Sequence, residues 1–117
     1  MPDGEATELR RSQMVTTWTD DEGGTLTLKP DGTFAAHDVC GDYDVDPYAP
    51  ENEPRSGSGT WDQDDWDGQT SLSVSFDTGD VRSRYEALRH GKVLKLWTYV
   101  GDPDSPHPLC VLTNRSR

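Results

Sequence analysis

The sequence has few apolar residues and no long apolar run. Hydrophobic residues make up 31% of its 117 residues, and the mean hydropathy of −0.87 approaches that of disordered chains. The apolar residues nevertheless alternate with polar ones over several short segments, which predicts a folded chain with a small core. No segment reaches the roughly 20 apolar residues of a membrane-spanning helix. Residues 1–5 lack the basic and apolar regions of a signal peptide.

Basic residues are scarce as well. The 22 acidic and 11 basic side chains give a net charge of −11 at pH 7. A surface of this sign repels phosphate backbones and anionic lipids, so we expect neither nucleic acid nor a membrane as a partner. Basic proteins and metal ions are compatible with it, and solubility alone is a further explanation of the charge.

Motifs for catalysis are also missing. His37, His90 and His107 lie in separate segments, and no serine or cysteine stands in a nucleophile motif. We therefore expect a non-catalytic binding protein. We expect it to hold a small apolar or amphipathic ligand inside a barrel, or to bind a basic protein. In the second case it would resemble an immunity-type inhibitor, which covers a basic active site. The alternative is a small barrel cyclase or isomerase of natural-product biosynthesis, which folds its substrate in a shaped cavity and needs no linear motif.

Eight short segments have the alternation of β-strands and are separated by turn signals about every ten residues. They are residues 14–18, 25–29, 33–39, 57–61, 71–76, 81–88, 92–100 and 109–113. Because closure removes the free edges of an open sheet, this all-β pattern predicts a single antiparallel up-and-down barrel, lipocalin-like in architecture, in residues 13–117. Residues 1–12 carry no such pattern and are predicted to form a flexible N-terminal arm.

The predicted core consists of the apolar residues on one face of each strand. They are Leu26, Leu28, Phe34, Leu72, Val74, Phe76, Leu94 and Leu96. For the seventh predicted strand, the sequence does not decide which face points into the barrel. Either Leu94 and Leu96 point inward, which we favour, or Trp97 and Tyr99 do. In the second case these two rings and Tyr85 of the preceding strand would line a small-molecule pocket with aromatic walls and polar tips.

Asp38 is a further candidate ligand-binding residue. In a regular strand it shares the inward face of Phe34, where a carboxylate at the barrel mouth has a raised pKa and can hold a cationic ligand or act as a general base. A bulge near Ala35 and Ala36 would instead turn Asp38 outward and Val39 inward. We favour the bulge.

The first predicted strand ends in Trp18. An eight-stranded meander that opens in this way resembles the lipocalin and wider calycin families. There, a Gly-x-Trp motif of the first strand closes one end of the barrel, and an arginine near the end of the fold packs over the tryptophan. Residues 16–18 read Thr-Thr-Trp at that place, Gly-Thr-Trp occurs at residues 59–61, and Arg115 corresponds to the arginine. The chain is also similar to short barrel proteins of high-GC bacteria, with Trp-Thr followed by Gly-Gly-Thr-Leu-Thr-Leu at residues 23–28.

An acidic loop contains a candidate calcium site. Asp42, Asp44, Asp46 and Glu53 stand at positions 1, 3, 5 and 12 of the spacing that EF-hand loops use. Pro47 occupies position 6, where the EF-hand has its turn glycine, and no helices flank the loop. A solvated acidic loop is therefore the alternative, and apart from calcium we expect no cofactor.

Three aromatic residues near acidic clusters are candidate contacts to a protein partner. Trp66 lies in the second acidic segment, residues 62–68, which is predicted to be a turn. The indole is either an interface anchor surrounded by charge or a partly packed part of the turn. Tyr43 and Tyr48, in the acidic loop of residues 40–56, are the other two candidates.

Cys40 and Cys110 both fall at the ends of predicted strands, and their spacing fits no zinc or redox motif. A disulfide between them would close a long loop and stabilise the fold by about 4 kcal/mol. The alternative is two buried thiols that act as small hydrophobic side chains. If the bridge forms, we expect a secreted or cell-surface protein whose leader has been removed, and otherwise a cytoplasmic one.

Overall fold

The computed structural model describes residues 2–43, 53–79, 81–100 and 109–115. It contains β1 (Glu5–Ala6), α1 (Arg11–Met14), β2 (Thr17–Thr19), β3 (Thr25–Leu28), β4 (Thr33–Val39), β5 (Arg55–Trp66), β6 (Gln69–Phe76), β7 (Arg82–His90), β8 (Val93–Tyr99) and β9 (Leu109–Arg115). Three predicted site residues, Asp44, Asp46 and Tyr48, lie outside the described residues.

The strands β2 to β9 form a closed ring. Each pairs antiparallel with the next strand along the chain, and β9 returns to pair with β2 at Thr113 and Thr19. The predicted all-β fold, an eight-stranded antiparallel up-and-down barrel, is therefore confirmed. Among the described residues, no helix has the length and apolar character that crossing a membrane requires.

Side chains from all eight barrel strands fill the interior. The eight predicted core residues are all buried, including Leu94 and Leu96, so the phase that we favoured for β8 is confirmed. Trp18, Phe34 and Tyr85 are the largest of the fully buried side chains. An eight-stranded barrel is just wide enough for inward side chains to fill it, and this one is packed in that way.

The first predicted strand is partly wrong. Residues 11–14 form α1, and the strand begins at Thr17. Met14 is fully buried, and its carbonyl accepts a hydrogen bond of 3.1 Å from Trp18 Nε1. Trp18 thus lies in the core beside the helix at one end of the barrel. The side chain of Arg115, expected to pack over this tryptophan, lies outside the described side chains.

The N-terminal residues make contacts that the prediction of a flexible arm did not include. β1 pairs with the last residues of β7, with Glu5 opposite Arg89. The pairing of β6 with β7 reaches only as far as Glu86, so β1 continues the sheet beyond it. Leu9 is only 2% exposed, and its N–H donates to Thr70 Oγ1 at 2.8 Å. Its carbonyl accepts from Gln63 Nε2 at 3.1 Å. This segment therefore packs against the end of the barrel opposite the one where Cys40 and Cys110 lie.

A bulge in β4 decides the orientation of Asp38. The register with β5 shifts between Ala36 and Val39, and Asp38 has a φ of 46°. Val39 is buried, whereas the Asp38 side chain is exposed. The bulge lies after Ala36 rather than at Ala35 and Ala36, where we placed it. The orientation that we favoured is confirmed, because Val39 points inward and Asp38 does not face the barrel interior.

The β5–β6 hairpin is longer than predicted. The strand predicted at residues 57–61 continues to Trp66, and the acidic turn shrinks to Asp67 and Gly68. Both turn residues have positive φ, 51° and 80°, as the tight hairpin turn of type I′ requires. On its other side β5 pairs with β4 only as far as Thr60. The tip of the hairpin therefore extends beyond the end of β4.

Gly59 allows a close approach of β5 to its neighbours. A Cβ atom there would lie 1.9 Å from the carbonyl oxygen of Ser75 and 2.9 Å from Phe34 Cε1. Because the first of these atoms belongs to the backbone of β6, we expect Gly59→Ala to lower the free energy of unfolding by about 3 kcal/mol. Urea denaturation measures the change, with the exposed neighbour Ser58→Ala as the control. Equal stability of the two variants would contradict the close approach.

Candidate functional site

The four residues predicted to bind a ligand do not meet in one pocket. Tyr85 points into the core, where its hydroxyl donates to the Cys40 carbonyl at 2.8 Å. Trp97 and Tyr99 lie on the outer face of β8, with their rings edge to face and their centroids 5.0 Å apart. Asp38 is outside the barrel as well. The aromatic-walled pocket is therefore not formed, because Leu94 and Leu96 take the inward positions of β8.

Tyr43, predicted as a partner contact, belongs to the core instead. The residue is only 5% exposed, and its hydroxyl donates to the Val39 carbonyl at 2.6 Å. Its ring packs edge to face on Phe76 at 5.7 Å. Burial raises the pKa of the Tyr43 hydroxyl well above its ordinary range. A partner cannot reach this side chain on the folded surface.

The predicted calcium loop has only its first and last ligands within the described residues. Asp42 and Glu53 are both exposed there. Among the residues that the structure describes, no group of three or more histidine, cysteine, aspartate or glutamate side chains is placed to hold a metal ion. Calcium binding therefore stays a prediction of the spacing alone.

The mouth of the barrel is held by polar contacts around the predicted disulfide, which the structure contains between Cys40 and Cys110. The Asp20 carboxylate is buried and accepts backbone N–H bonds from Glu22, Gly24 and Cys40 at 2.9, 2.7 and 3.0 Å. Gly41 packs so closely on Tyr85 that a Cβ atom would lie 2.7 Å from the phenolic oxygen. These contacts hold the segment after β4 against the barrel. A volume of about 370 Å³ lies beside them, with Asp20, Cys40 and Val100 among its lining residues.

A shallow polar groove runs along the outer face of β6. It holds two volumes of about 620 and 330 Å³ that share Arg84 as a lining residue. Its lining includes Asp62 and Asp64 of β5, Ser73 and Ser75 of β6, and Arg82 and Arg84 of β7. Glu86 accepts a hydrogen bond from Ser71 Oγ at 2.6 Å and pairs with Arg84 Nε at 3.4 Å. The groove thus offers charged groups of both signs.

Trp66 stands at the end of this groove, at the tip of the hairpin. It lines the smaller volume and is 80% exposed, although an indole is the largest apolar side chain in the protein. Four aspartates surround it in the sequence, and all are exposed. They are Asp62, Asp64, Asp65 and Asp67. Of the two interpretations of Trp66, the partly packed indole is wrong, and the exposed indole surrounded by charge is present.

The fold and the surface define the class of the protein as a small acidic β-barrel with one disulfide bridge. No protein-family model matches the chain, and no curated protein and no solved structure matches it.

Proposed function

We propose that the protein is a non-catalytic binding protein that holds a basic protein partner on its outer surface, with Trp66 as the central contact. The observation that carries this proposal is a contrast between interior and surface. Trp18, Phe34 and Tyr85 fill the barrel, whereas Trp66 is left almost entirely in water at the hairpin tip. Exposed tryptophans are frequent centres of binding energy in protein interfaces.

The filled interior supports surface binding over ligand carriage. A small-molecule site needs a cavity of several hundred cubic ångströms that encloses most of its ligand. The inward positions here are occupied by buried aromatic and aliphatic side chains in one continuous cluster. An empty barrel interior is needed to carry an apolar ligand, as the lipocalin resemblance implies. It is also needed to enclose a substrate for cyclisation. Neither gains support from the arrangement of the core.

The charge around Trp66 indicates the kind of partner. Four aspartates flank the indole within the hairpin, and the whole chain carries a net charge of −11. Such a field attracts a basic surface and accelerates its association, while it slows the approach of acidic ones. The arrangement suits an inhibitor of the immunity type, which covers a basic active site.

A titration with two synthetic peptides tests this proposal. The first alternates lysine and valine over nine residues, and the second alternates glutamate and valine. We expect the lysine peptide to shift the amide signals of residues 62–69 in heteronuclear NMR spectra, and the glutamate peptide to leave them unchanged. Trp66→Ala should weaken binding of the lysine peptide about tenfold or more. Tyr99→Ala, which removes another exposed aromatic side chain, should change it less than about twofold.

NMR spectra of the same kind, recorded with oleate, can show the result that would contradict the proposal. Oleate, a probe for an apolar barrel site, is expected to leave the signals of core residues such as Phe34 and Leu96 in place. The proposal is wrong if oleate shifts the core signals in a saturable way while the lysine peptide binds Trp66→Ala as tightly as the unaltered protein.

A further inference from the structure

We propose that the outer edge of β5, at residues 62–66, binds an extended basic segment of the partner as an additional β-strand. This inference rests on the proposed function and specifies how the partner is held. The open backbone edge of the hairpin and the side chains along that edge determine how the partner is held.

The first observation is that this edge is open. From Gln63 to Trp66, β5 pairs on one side with β6, in a continuous register from Leu72 to Gln69. On its other side the pairing with β4 ends at Thr60. Within the part of the chain that the structure describes, no strand pairs with this edge of β5 beyond that point.

The second observation fixes which backbone groups face outward. The N–H of Trp61 donates to the Gly32 carbonyl at 2.9 Å, on the side of β5 where β4 lies. Because backbone groups of a strand alternate in direction, the N–H and C=O groups of Gln63 and Asp65 point to that same side. Their register with β6 has no shift that would reverse them. These groups form the pattern of donors and acceptors that an added strand uses.

The side chains along the edge indicate what the added strand carries. Asp62, Asp64 and Trp66 alternate on the outer face of β5. Directly opposed residues of paired strands have their Cβ atoms about 5 Å apart, so lysine or arginine at every second position would meet these carboxylates. A cation opposite Trp66 can also lie over the face of the indole. The occupant is therefore an extended segment with alternating basic residues.

A second copy of this chain is a poor occupant for the same reason. Pairing of two such edges would place aspartates against aspartates, and like charges directly opposite one another destabilise a sheet. Acidic residues on a free edge are a known means by which sheets avoid joining to themselves. The edge is thus closed to self-association but open to a basic strand.

The hairpin is also held rigidly enough to act as a template. Gln63 Nε2 donates to the Leu9 carbonyl, and Leu9 N–H donates to Thr70 Oγ1. The Thr70 hydroxyl in turn donates to the Asp65 carboxylate. These contacts connect both strands of the hairpin to the N-terminal segment. A preformed edge lowers the conformational entropy that the barrel protein itself loses on binding.

Single N-methylation of the nine-residue lysine–valine peptide tests strand addition directly, because it removes one N–H at a time and leaves the side chains in place. Calorimetric titration of the whole protein gives the affinity. We expect methylation at alternate central positions to weaken binding about tenfold, and methylation at the positions between them to change it less than about twofold. That period of two is the signature of a strand whose amides alternate between template and solvent.

A matched pair of variants tests the same contact from the side of the protein. Asp65→Pro removes the side chain and the outward N–H, whereas Asp65→Ala removes the side chain alone. The ladder with β6 does not use this N–H, so proline is compatible with the edge position. We expect Asp65→Pro to bind the peptide about tenfold more weakly than Asp65→Ala. The amide spectra of the two variants show whether both retain the barrel.

The outcomes separate this inference from the proposed function. If all N-methyl peptides lose affinity equally while Trp66→Ala still abolishes binding, strand addition is wrong and surface binding through Trp66 stands. If the peptide binds equally well to Trp66→Ala and shifts no signal of residues 62–69, both proposals are overturned.

Discussion

Removal of the Cys40–Cys110 bridge is expected to lower the free energy of unfolding by about 4 kcal/mol. The two cysteines are 70 residues apart in the sequence. A cross-link over that distance restricts the unfolded chain strongly, whereas in the folded barrel it joins β9 to the residue after β4, which the fold already holds close together. Because small domains are stable by only about 5–15 kcal/mol, the bridge accounts for a large share of the total. Urea denaturation of the oxidised protein and of the Cys40→Ser, Cys110→Ser double variant measures the difference.

The reduced, unaltered protein is the matched control for this result. Cys110 is buried in the core, so its replacement by serine adds a packing cost that reduction alone does not. Oxidised and reduced proteins that unfold at the same urea concentration would contradict the assigned role of the bridge. The hairpin tip lies at the opposite end of β5 from the bridged end of the barrel. A folded reduced protein should therefore still bind the lysine peptide, whose affinity separates loss of stability from loss of the binding surface.

The barrel could be predicted from the sequence because its strands obey a local rule. In β6, Leu72, Val74 and Phe76 alternate with serines, and the structure places these three side chains in the core. The bulge at Asp38 could be anticipated as well, since the alternative was a carboxylate inside an apolar barrel. Such regularities depend only on neighbours along the chain.

Contacts between distant segments were not predictable in the same way. Leu9 is a single apolar residue in a polar segment, and only the folded barrel provides the site that buries it. Residues 62–65 contain three aspartates and thus have low strand propensity, yet pairing with β6 extends β5 through them. Tyr43 stands among acidic residues, and no local signal shows that its ring packs on Phe76.

The candidate site was accessible from the sequence only in part. Trp66 was a candidate anchor because it lies in an acidic segment, but the sequence left a partly packed indole as the alternative, and only the structure shows that the side chain is 80% exposed. The open edge beside it depends on where the neighbouring strand ends. β4 begins at Thr33, which is opposite Thr60, so no residue of β4 lies beside Gln63. The end of one strand relative to another is a property of register, which the sequence of a single strand does not contain.

The stability of the barrel is expected to fall steeply above about pH 10, the ordinary pKa of tyrosine. Burial raises the pKa of Tyr85 to about 12 and that of Tyr43 further still. Both hydroxyls donate to backbone carbonyls at the mouth, the part-buried one of Cys40 and the buried one of Val39, and can do so only while protonated. Above pH 10 the unfolded chain releases these two protons and the folded barrel keeps them.

The free energy of unfolding should therefore decrease by about 1.4 kcal/mol per pH unit for each of the two tyrosines, and the loss continues until the folded pKa is reached. From about pH 10 to about pH 12 the two together would remove about 4 kcal/mol, because the slope is only half developed at the pKa itself. Urea denaturation at a series of pH values measures the slope. Lysines also titrate in this range, so Tyr85→Phe and Tyr43→Phe serve as internal references, and each should reduce the slope by one tyrosine's share. A slope that is identical in the unaltered protein and in both variants would show that neither hydroxyl is held protonated by the fold.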